Sequence, residues 1–442
     1  MTEDRYDVIV AGARCAGAPL AALLARAGAR VAVVERATFP SDTLSSHLFE
    51  VDALAFLDRL GVSAALDATG APLVQRTDTR VEDLRIEIDL PQRPGDVGGM
   101  RSVRRMLLDP LLVAAAEEAG AEVRIAAEVT SLVEDRGRIV GVGVKARGDE
   151  RELRARLVVG ADGRHSTVAK LCGARRYNVT PNQRLLYWAF FEGADMGAEP
   201  TFLTHRWDER FILGIPCDSG LYQVLIWPEM HELEDFRADP AAAFMAHACT
   251  CAPIAQALAD ARQVGKVLGA VRWEGFFRDA SGPGWVLSGD AGHFKSPSPG
   301  RGIGDAFLQA DSLTRAIVGA LGGGDSELDA AMARWGRERD RAFAEHYWLA
   351  YDLEEAGAVP AVLVEILRGL QRRGEAGLFF EVLNHRLRPS QLLTPPRVLG
   401  ASTRLLASGR VDRGALLRKL GALGAQDMRR RWRNRRPAYA AS

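Results

Sequence analysis

The segment that most narrows what this chain can fold into is residues 6–36. An apolar run, Tyr6-Asp7-Val8-Ile9-Val10, leads into the turn Gly12-Ala13-Arg14-Cys15-Ala16-Gly17. Helical residues Ala18 to Ala27 follow and stop at Gly28, and a second apolar run, Val31 to Val34, ends on Glu35 and Arg36. Strand, glycine turn, helix, strand and acid is the order of a dinucleotide-binding βαβ unit. Gly12 permits the tight turn, and Gly17 lets helix and strand approach closely. The helix N-terminus offers unpaired N–H groups and a positive dipole to a pyrophosphate, while Glu35 is placed to accept from a ribose hydroxyl. One position departs from the pattern. The middle glycine of G-x-G-x-x-G is Arg14, which lacks glycine's smallness but brings positive charge toward the phosphates.

Length and composition bound the remaining possibilities. A chain of 442 residues exceeds one ordinary core, so two or three structural units are expected. Lys plus Arg equals Asp plus Glu at 57 each, and zero formal charge argues against nucleic acid as the main partner. The five cysteines form no CxxC pair, and Cys249-Thr250-Cys251 is too tight for a zinc site. No metal is expected, and free thiols suit a reducing cytoplasm. The polar N-terminus runs straight into the first strand, so no signal peptide is expected. Nor is a membrane span, because no stretch nears ~18 uncharged apolar residues. The arginine run Arg429 to Arg436 reads as a solvated or frayed terminus before a surface for anionic lipid or nucleic acid.

Along the chain, Phe39 to His47 is a polar loop and Asp52 to Leu60 a helix ending at Gly61. Residues Leu73 to Leu90 suggest strands, and Asp109-Pro110 predicts an N-cap with proline at the first helical position. Strands are expected at Ala121 to Ile125, Glu128 to Asp135 and Ile139 to Lys145, and a buried strand from Leu157 into the turn Asp162-Gly163. Between Arg176 and Arg272, four segments beginning at Leu185, Thr201, Arg210 and Leu221 look like antiparallel strands rich in aromatics. Such a sheet makes either a substrate wall or simply a core. Trp285 to Asp290 returns to the buried-strand pattern, and helices follow from Asp305 onward.

Two later segments assign the glycine turn. Gly160-Ala161-Asp162-Gly163-Arg164-His165-Ser166 resembles the "DG" motif of flavoprotein hydroxylases, and Gly289-Asp290-Ala291-Gly292-His293 with Pro297-Ser298-Pro299-Gly300-Arg301-Gly302 resembles their "GD" motif. Together the three resemble the p-hydroxybenzoate-hydroxylase-like FAD-dependent oxidoreductases, over residues 1 to about 320. That resemblance implies an α/β fold: a Rossmann-like FAD-binding domain with an inserted antiparallel-sheet substrate domain and a helical C-terminal region. Mapped onto this chain, the FAD-binding domain takes residues 1–72, 97–175 and 273–345, the substrate sheet 73–96 and 176–272, and the C-terminal region 346–442.

The resemblance also implies FAD as cofactor, NAD(P)H as a transient reductant, O₂ and a small organic molecule as substrates, and a cytoplasmic monomer or homodimer. The implied cofactor-binding residues are Gly12, Ala13, Arg14, Cys15, Ala16, Gly17, Glu35, Arg36, Ser46, Arg105 (in R-x-x-L-D), Val129, Asp162, Gly289, Asp290, Pro297, Gly300, Arg301, Gly302 and Ile303. His47, in the loop that passes the isoalloxazine in this fold, is a candidate for tuning protonation near neutral pH. Lys295 is a candidate for stabilising reduced flavin or a substrate anion. The implied activity is monooxygenation, a hydroxylation or epoxidation through a flavin C4a-hydroperoxide, on a small organic substrate such as an aromatic or a polyketide. A C=C reductase of the geranylgeranyl-reductase kind and a non-redox FAD-requiring cyclase are the alternatives. The halogenase W-x-W-x-I-P is absent.

Overall fold

The computed structural model describes residues 5–41, 43, 45–409 and 411–440, so Asp42 and Leu44 of the Phe39–His47 loop lie outside the described residues. Its first sheet has a parallel core of β1 (Arg5–Ala11), β2 (Val31–Glu35), β3 (Asp149–Gly160) and β4 (Trp285–Leu287), with Glu122–Ile125 beside β2. Parallel strands are covered on both faces, which is why they read as unbroken Val/Ile/Leu/Ala runs. One face packs on α1 (Gly17–Arg26), α2 (Arg105–Glu118) and α3 (Gly302–Leu321), and the other on an antiparallel hairpin, Ala127–Asp135 and Arg138–Ala146. The register decides the site. Ala11 pairs with both Val34 and Gly160, and Gly160 with Leu287, so the carboxyl ends of β1, β2, β3 and β4 are level. The three motifs therefore open into one crevice at those ends.

Helix α2 differs from its expected start. It begins at Arg105, with Pro110 inside it, rather than being capped by Asp109. Asp109 instead takes the Arg105 guanidinium across the first turn, at 2.6 and 3.0 Å, and this buried pair fixes the turn upstream of the proline.

The second sheet runs, in spatial order, Arg262–Ala270, Leu186–Glu192, Tyr222–Ile226, Arg210–Pro216, Thr201–Trp207, Arg76–Val81 and Leu84–Asp89. It is antiparallel except where Arg76–Val81 runs parallel to Thr201–Trp207. Period-two alternation gives it two buried faces. Leu186, Trp188, Phe190, Phe211, Leu213, Leu225 and Trp227 pack toward Leu48, Val51 and Met100 of the first unit. Tyr187, Phe191, Ile212 and Val224 pack on short helices around Phe236, Phe244 and Ile254.

Beyond α3, α4 (Asp325–Leu353) leads to helices that flank the second sheet. Among them, α5 (Gly377–Leu383) sets Phe380 into the aromatic face, and α6 (Arg413–Arg435) closes the bundle. The arginine run expected to fray is thus helical to Arg435. Arg430 forms a bidentate pair with Asp352 at 2.6 and 2.5 Å, and the Trp348 indole N–H donates to Asn434 at 3.0 Å. No helix among the described residues is long and apolar enough to cross a membrane.

Candidate functional site

The crevice holds a cavity of about 460 Å³. Gly12, Arg14, Cys15, Ala16, Glu35, Arg36, Ser46, Arg105, Val129, Asp162, Asp290, Lys295, Pro297, Gly300, Gly302 and Ile303 all line it. Residues from seven separate stretches of chain, the three motifs among them, are thereby brought to one surface.

The glycine turn shows why its first and last positions admit no side chain. Gly12 sits at φ +100°, and a Cβ there would lie 2.5 Å from the Ala161 carbonyl oxygen. A Cβ on Gly17 would lie 1.8 Å from the Gly12 carbonyl oxygen. Arg14 faces no such restriction. Its guanidinium donates to Asp109 at 2.9 Å and to Ser41 at 2.9 Å, and stands over the Phe39 ring. Asp109 thus gathers Arg14 and Arg105, two cations on one buried carboxylate, leaving net positive charge beneath the turn. Helix α3 has no side-chain cap, so its first amides stay open toward the cavity. The first turn of α1 is closed instead: the Gly17 and Ala18 N–H groups both donate to the Arg14 carbonyl at 3.0 Å, and Pro19 has no N–H to offer. Glu35 accepts from the Ala13 N–H and the Ala37 N–H, each at 2.8 Å, which locks strand end and turn together. A cationic floor, the open amides of α3 and a turn whose first and last positions carry no side chain fit an anionic dinucleotide.

Asp162 caps the short helix after it, accepting from the Ser166 hydroxyl at 2.5 Å and the Thr167 N–H at 2.7 Å. Burial, with Asp305 nearby, raises the Asp290 carboxyl to about 6. Burial also pushes the Cys15 thiol up to about 12, so the cysteine in the turn is a packed thiol and not a nucleophile.

Five expected residues stand behind the cavity wall. Ala13 and Gly17 form the back of the turn. Gly289 packs against Ala16 and donates its N–H to Gln309 at 3.0 Å. Arg301, expected to reach the cofactor, is buried against Glu50 at 3.1 Å and Asp52 at 2.6 and 2.8 Å. Two carboxylates from the start of the helix Val51–Leu60 hold its charge there. His47 is the fifth, and it corrects the expectation of near-neutral titration. Burial, reinforced by Arg105, lowers its imidazole to about 3. Its Nδ1 accepts the Arg105 backbone N–H at 3.1 Å, so the proton of the neutral ring resides on Nε2. That Nε2–H is buried beside the Phe190 ring and has no hydrogen-bond partner among the described residues.

Lys295 is not a free cation. Its ammonium lies 2.5 Å from Asp305 and 3.1 Å from His385 Nε2, and burial lowers its pKa. His385 stacks on His346 at 3.7 Å, so the C-terminal region reaches the rear of the GD loop. Sequence reasoning missed Asp109 and Asp305, although Asp109 stands in the quoted R-x-x-L-D. It also missed Leu186, Ala270 and Trp273, which bring the second sheet to the cavity rim and carry no local signature.

A family model described as "FAD binding domain" matches residues 5–341. The chain belongs to this family. Its cofactor is FAD, and it is an FAD-dependent oxidoreductase. It is 29% identical over 353 residues to a 6-methylpretetramide 4-monooxygenase of Streptomyces rimosus, covering 76% of this chain and 81% of that one. It is 26% identical over 360 residues to a digeranylgeranylglycerophospholipid reductase of Methanocella arvoryzae, covering 80% and 87%. Among solved structures, a flavoprotein/dehydrogenase from Cytophaga hutchinsonii superposes with a TM-score of 0.73 at 16% identity, covering 89% of this chain and 96% of that one.

Proposed function

We propose that this FAD-dependent oxidoreductase is a monooxygenase that uses NAD(P)H and O₂ to hydroxylate or epoxidise a small, mostly apolar organic molecule. The observation that carries the reading is the buried aromatic face whose edge, Leu186, Ala270 and Trp273, lines the cavity, and which holds behind that edge indole and imidazole N–H groups with no protein partner. Trp188 Nε1, Trp227 Nε1 and His47 Nε2 are all buried and unpaired among the described residues. Burying such donors without an acceptor costs about 1–3 kcal/mol each, an arrangement that suits a ligand bringing oxygen acceptors to an otherwise apolar surface.

Bound FAD supplies the activation of O₂ and the transfer of one oxygen atom. Gly12, Arg14, Cys15 and Ala16 of the turn would hold its pyrophosphate, Glu35 and Arg36 its adenosine ribose, and Val129 would meet its adenine. Arg105 and Asp290 would take the ribityl chain, and Pro297, Gly300, Gly302 and Ile303 the ring edge. Trp188, Phe190, Phe211 and Trp227 exclude water from the substrate side. His47, fixed as the Nε2–H tautomer behind the cavity wall, would donate to a carbonyl or phenolic oxygen of a substrate that displaces that wall on binding, without changing charge at neutral pH. Lys295, held by Asp305, keeps positive charge beside the GD loop and orients rather than transfers protons.

Screening NAD(P)H oxidation for stimulation by candidate aromatics and polyketides, then running turnover under ¹⁸O₂, tests the reading. Incorporation of ¹⁸O into product is expected. A reduced C=C product formed without O₂ consumption would favour the alternative reading, a reductase, which the similarity to the archaeal lipid reductase supports.

A further inference from the structure

The outer face of α6 has a composition that neither the fold nor the cavity uses. Its inner face is docked: Leu416, Leu420 and Leu423 join the C-terminal core, Lys419 pairs with Glu355 at 2.6 Å, and Arg430 pairs with Asp352. The opposite face carries Leu417, Gly421, Gly424, Met428 and Trp432, spaced three and four residues apart so that they fall on one stripe. Leu417, Met428 and Trp432 are 59%, 68% and 57% exposed, whereas exposed large apolar side chains outside the last two helices reach only 44%. Arg413 and Arg431 flank the stripe on one side, and Arg418 and Arg429 on the other. Arg418, Arg429, Arg433 and Arg435 form no ion pair among the described residues, and the only acid in α6, Asp427, is taken by Arg431.

We propose that this face is a docking surface for an anionic lipid bilayer, with α6 lying in the plane of the interface. An apolar Leu/Met/Trp centre bordered by arginines matches the boundary between acyl chains and negatively charged headgroups. The competing occupants fit less well. A nucleic-acid backbone offers phosphates to the arginines but nothing to the exposed Met428 and Trp432. A second copy of the chain would bring arginines against arginines across a two-fold axis. The surface is independent of the reaction in the cavity.

Co-sedimentation of the FAD-loaded protein with vesicles tests this. Vesicles of phosphatidylcholine containing about 30% phosphatidylglycerol are expected to bind at least ~10-fold more tightly than phosphatidylcholine alone, with binding lost at high salt. The double variant M428S/W432S and the triple variant R418S/R429S/R435S should each lose vesicle binding while flavin content and NAD(P)H oxidation stay unchanged. Equal or no binding to the two vesicle types overturns the proposal, as does full retention of binding in both variants. So would tighter binding of a DNA duplex at the same salt, or a concentration-dependent dimer that M428S/W432S abolishes.

Discussion

Replacing His47 with asparagine separates its two hydrogen-bonding roles. His47 adopts φ 59°, a left-handed conformation that asparagine tolerates better than other non-glycine residues. The asparagine Oδ1 can take over from Nδ1 as acceptor of the Arg105 N–H, which His47 holds at 3.1 Å. What disappears is the Nε2–H. The asparagine Nδ2 carries two N–H groups of its own, set nearer the backbone, so H47N still buries unpaired donors, also loses the ring contact with Phe190, and should fold about 1–3 kcal/mol less stably than the parent. With substrate bound, the variant lacks one buried hydrogen bond and strands the substrate's acceptor, a loss of about 1–3 kcal/mol or roughly 5- to 150-fold in kcat/KM. FAD content and substrate-free NAD(P)H oxidation should not change. The folded pKa of about 3 lies below the ordinary 6.5, so the unfolded chain binds the extra proton between these values. Wild type should therefore lose stability relative to H47N as pH falls from 6.5 toward 3, and gain nothing on it above 6.5. Steady-state kinetics, urea midpoints at several pH values and ¹⁵N imidazole shifts read these outcomes. An unchanged kcat/KM in H47N, or an inflection of the wild-type kcat/KM profile near pH 6.5 that H47N removes, would refute the neutral-donor role.

Other perturbations address the cofactor end. R14G removes one of two cations on buried Asp109 and should lower stability by about 1–3 kcal/mol while leaving FAD bound, as judged by flavin absorbance after gel filtration. Loss of flavin would make the guanidinium the anchor. G17A places a methyl group 1.8 Å from the Gly12 carbonyl oxygen, an overpacking against backbone at or above the usual ~1–3 kcal/mol, so the variant should purify with little flavin and a lowered Tm. Brief thiol labelling at pH 7.5 followed by peptide mapping should modify exposed Cys249 and spare Cys15, whose thiol is buried and pushed up to about 12. Early labelling of Cys15 in the folded protein would contradict that burial.

Much of the cofactor cleft was legible in the chain because its requirements are local. A glycine needed for positive φ or close approach, an acid ending a strand and an apolar run long enough for one buried strand leave marks within a few residues. Those marks identified β1, β2, β3, β4 and the turns after them, and the resemblance of the three motifs tied them to FAD. Within the second sheet, alternation revealed four central strands, but the short helices between Leu233 and Ala257 and the edge strand Arg262–Ala270 carry weaker patterns. The start of α2 was misread because Asp109-Pro110 looks like a cap, while its true role lies in binding Arg105 and Arg14.

The sequence by itself determined the parallel core and the glycine-turn geometry, and the resemblance of its three motifs, not the turn alone, implied the cofactor. Only the tertiary structure decided charge and partnership. Arg301 lies in a family motif, yet Glu50 and Asp52, some 250 positions earlier, capture it. His47 looks like a titrating residue until the Arg105 amide, 58 positions away, fixes its tautomer and burial removes its charge. The arginine run looks like a loose tail until Asp352 and Trp348 dock one side of it and leave an apolar stripe on the other. Backbone geometry is set by neighbours in sequence, whereas the pKa, tautomer and exposure of a side chain are set by whatever the fold packs around it.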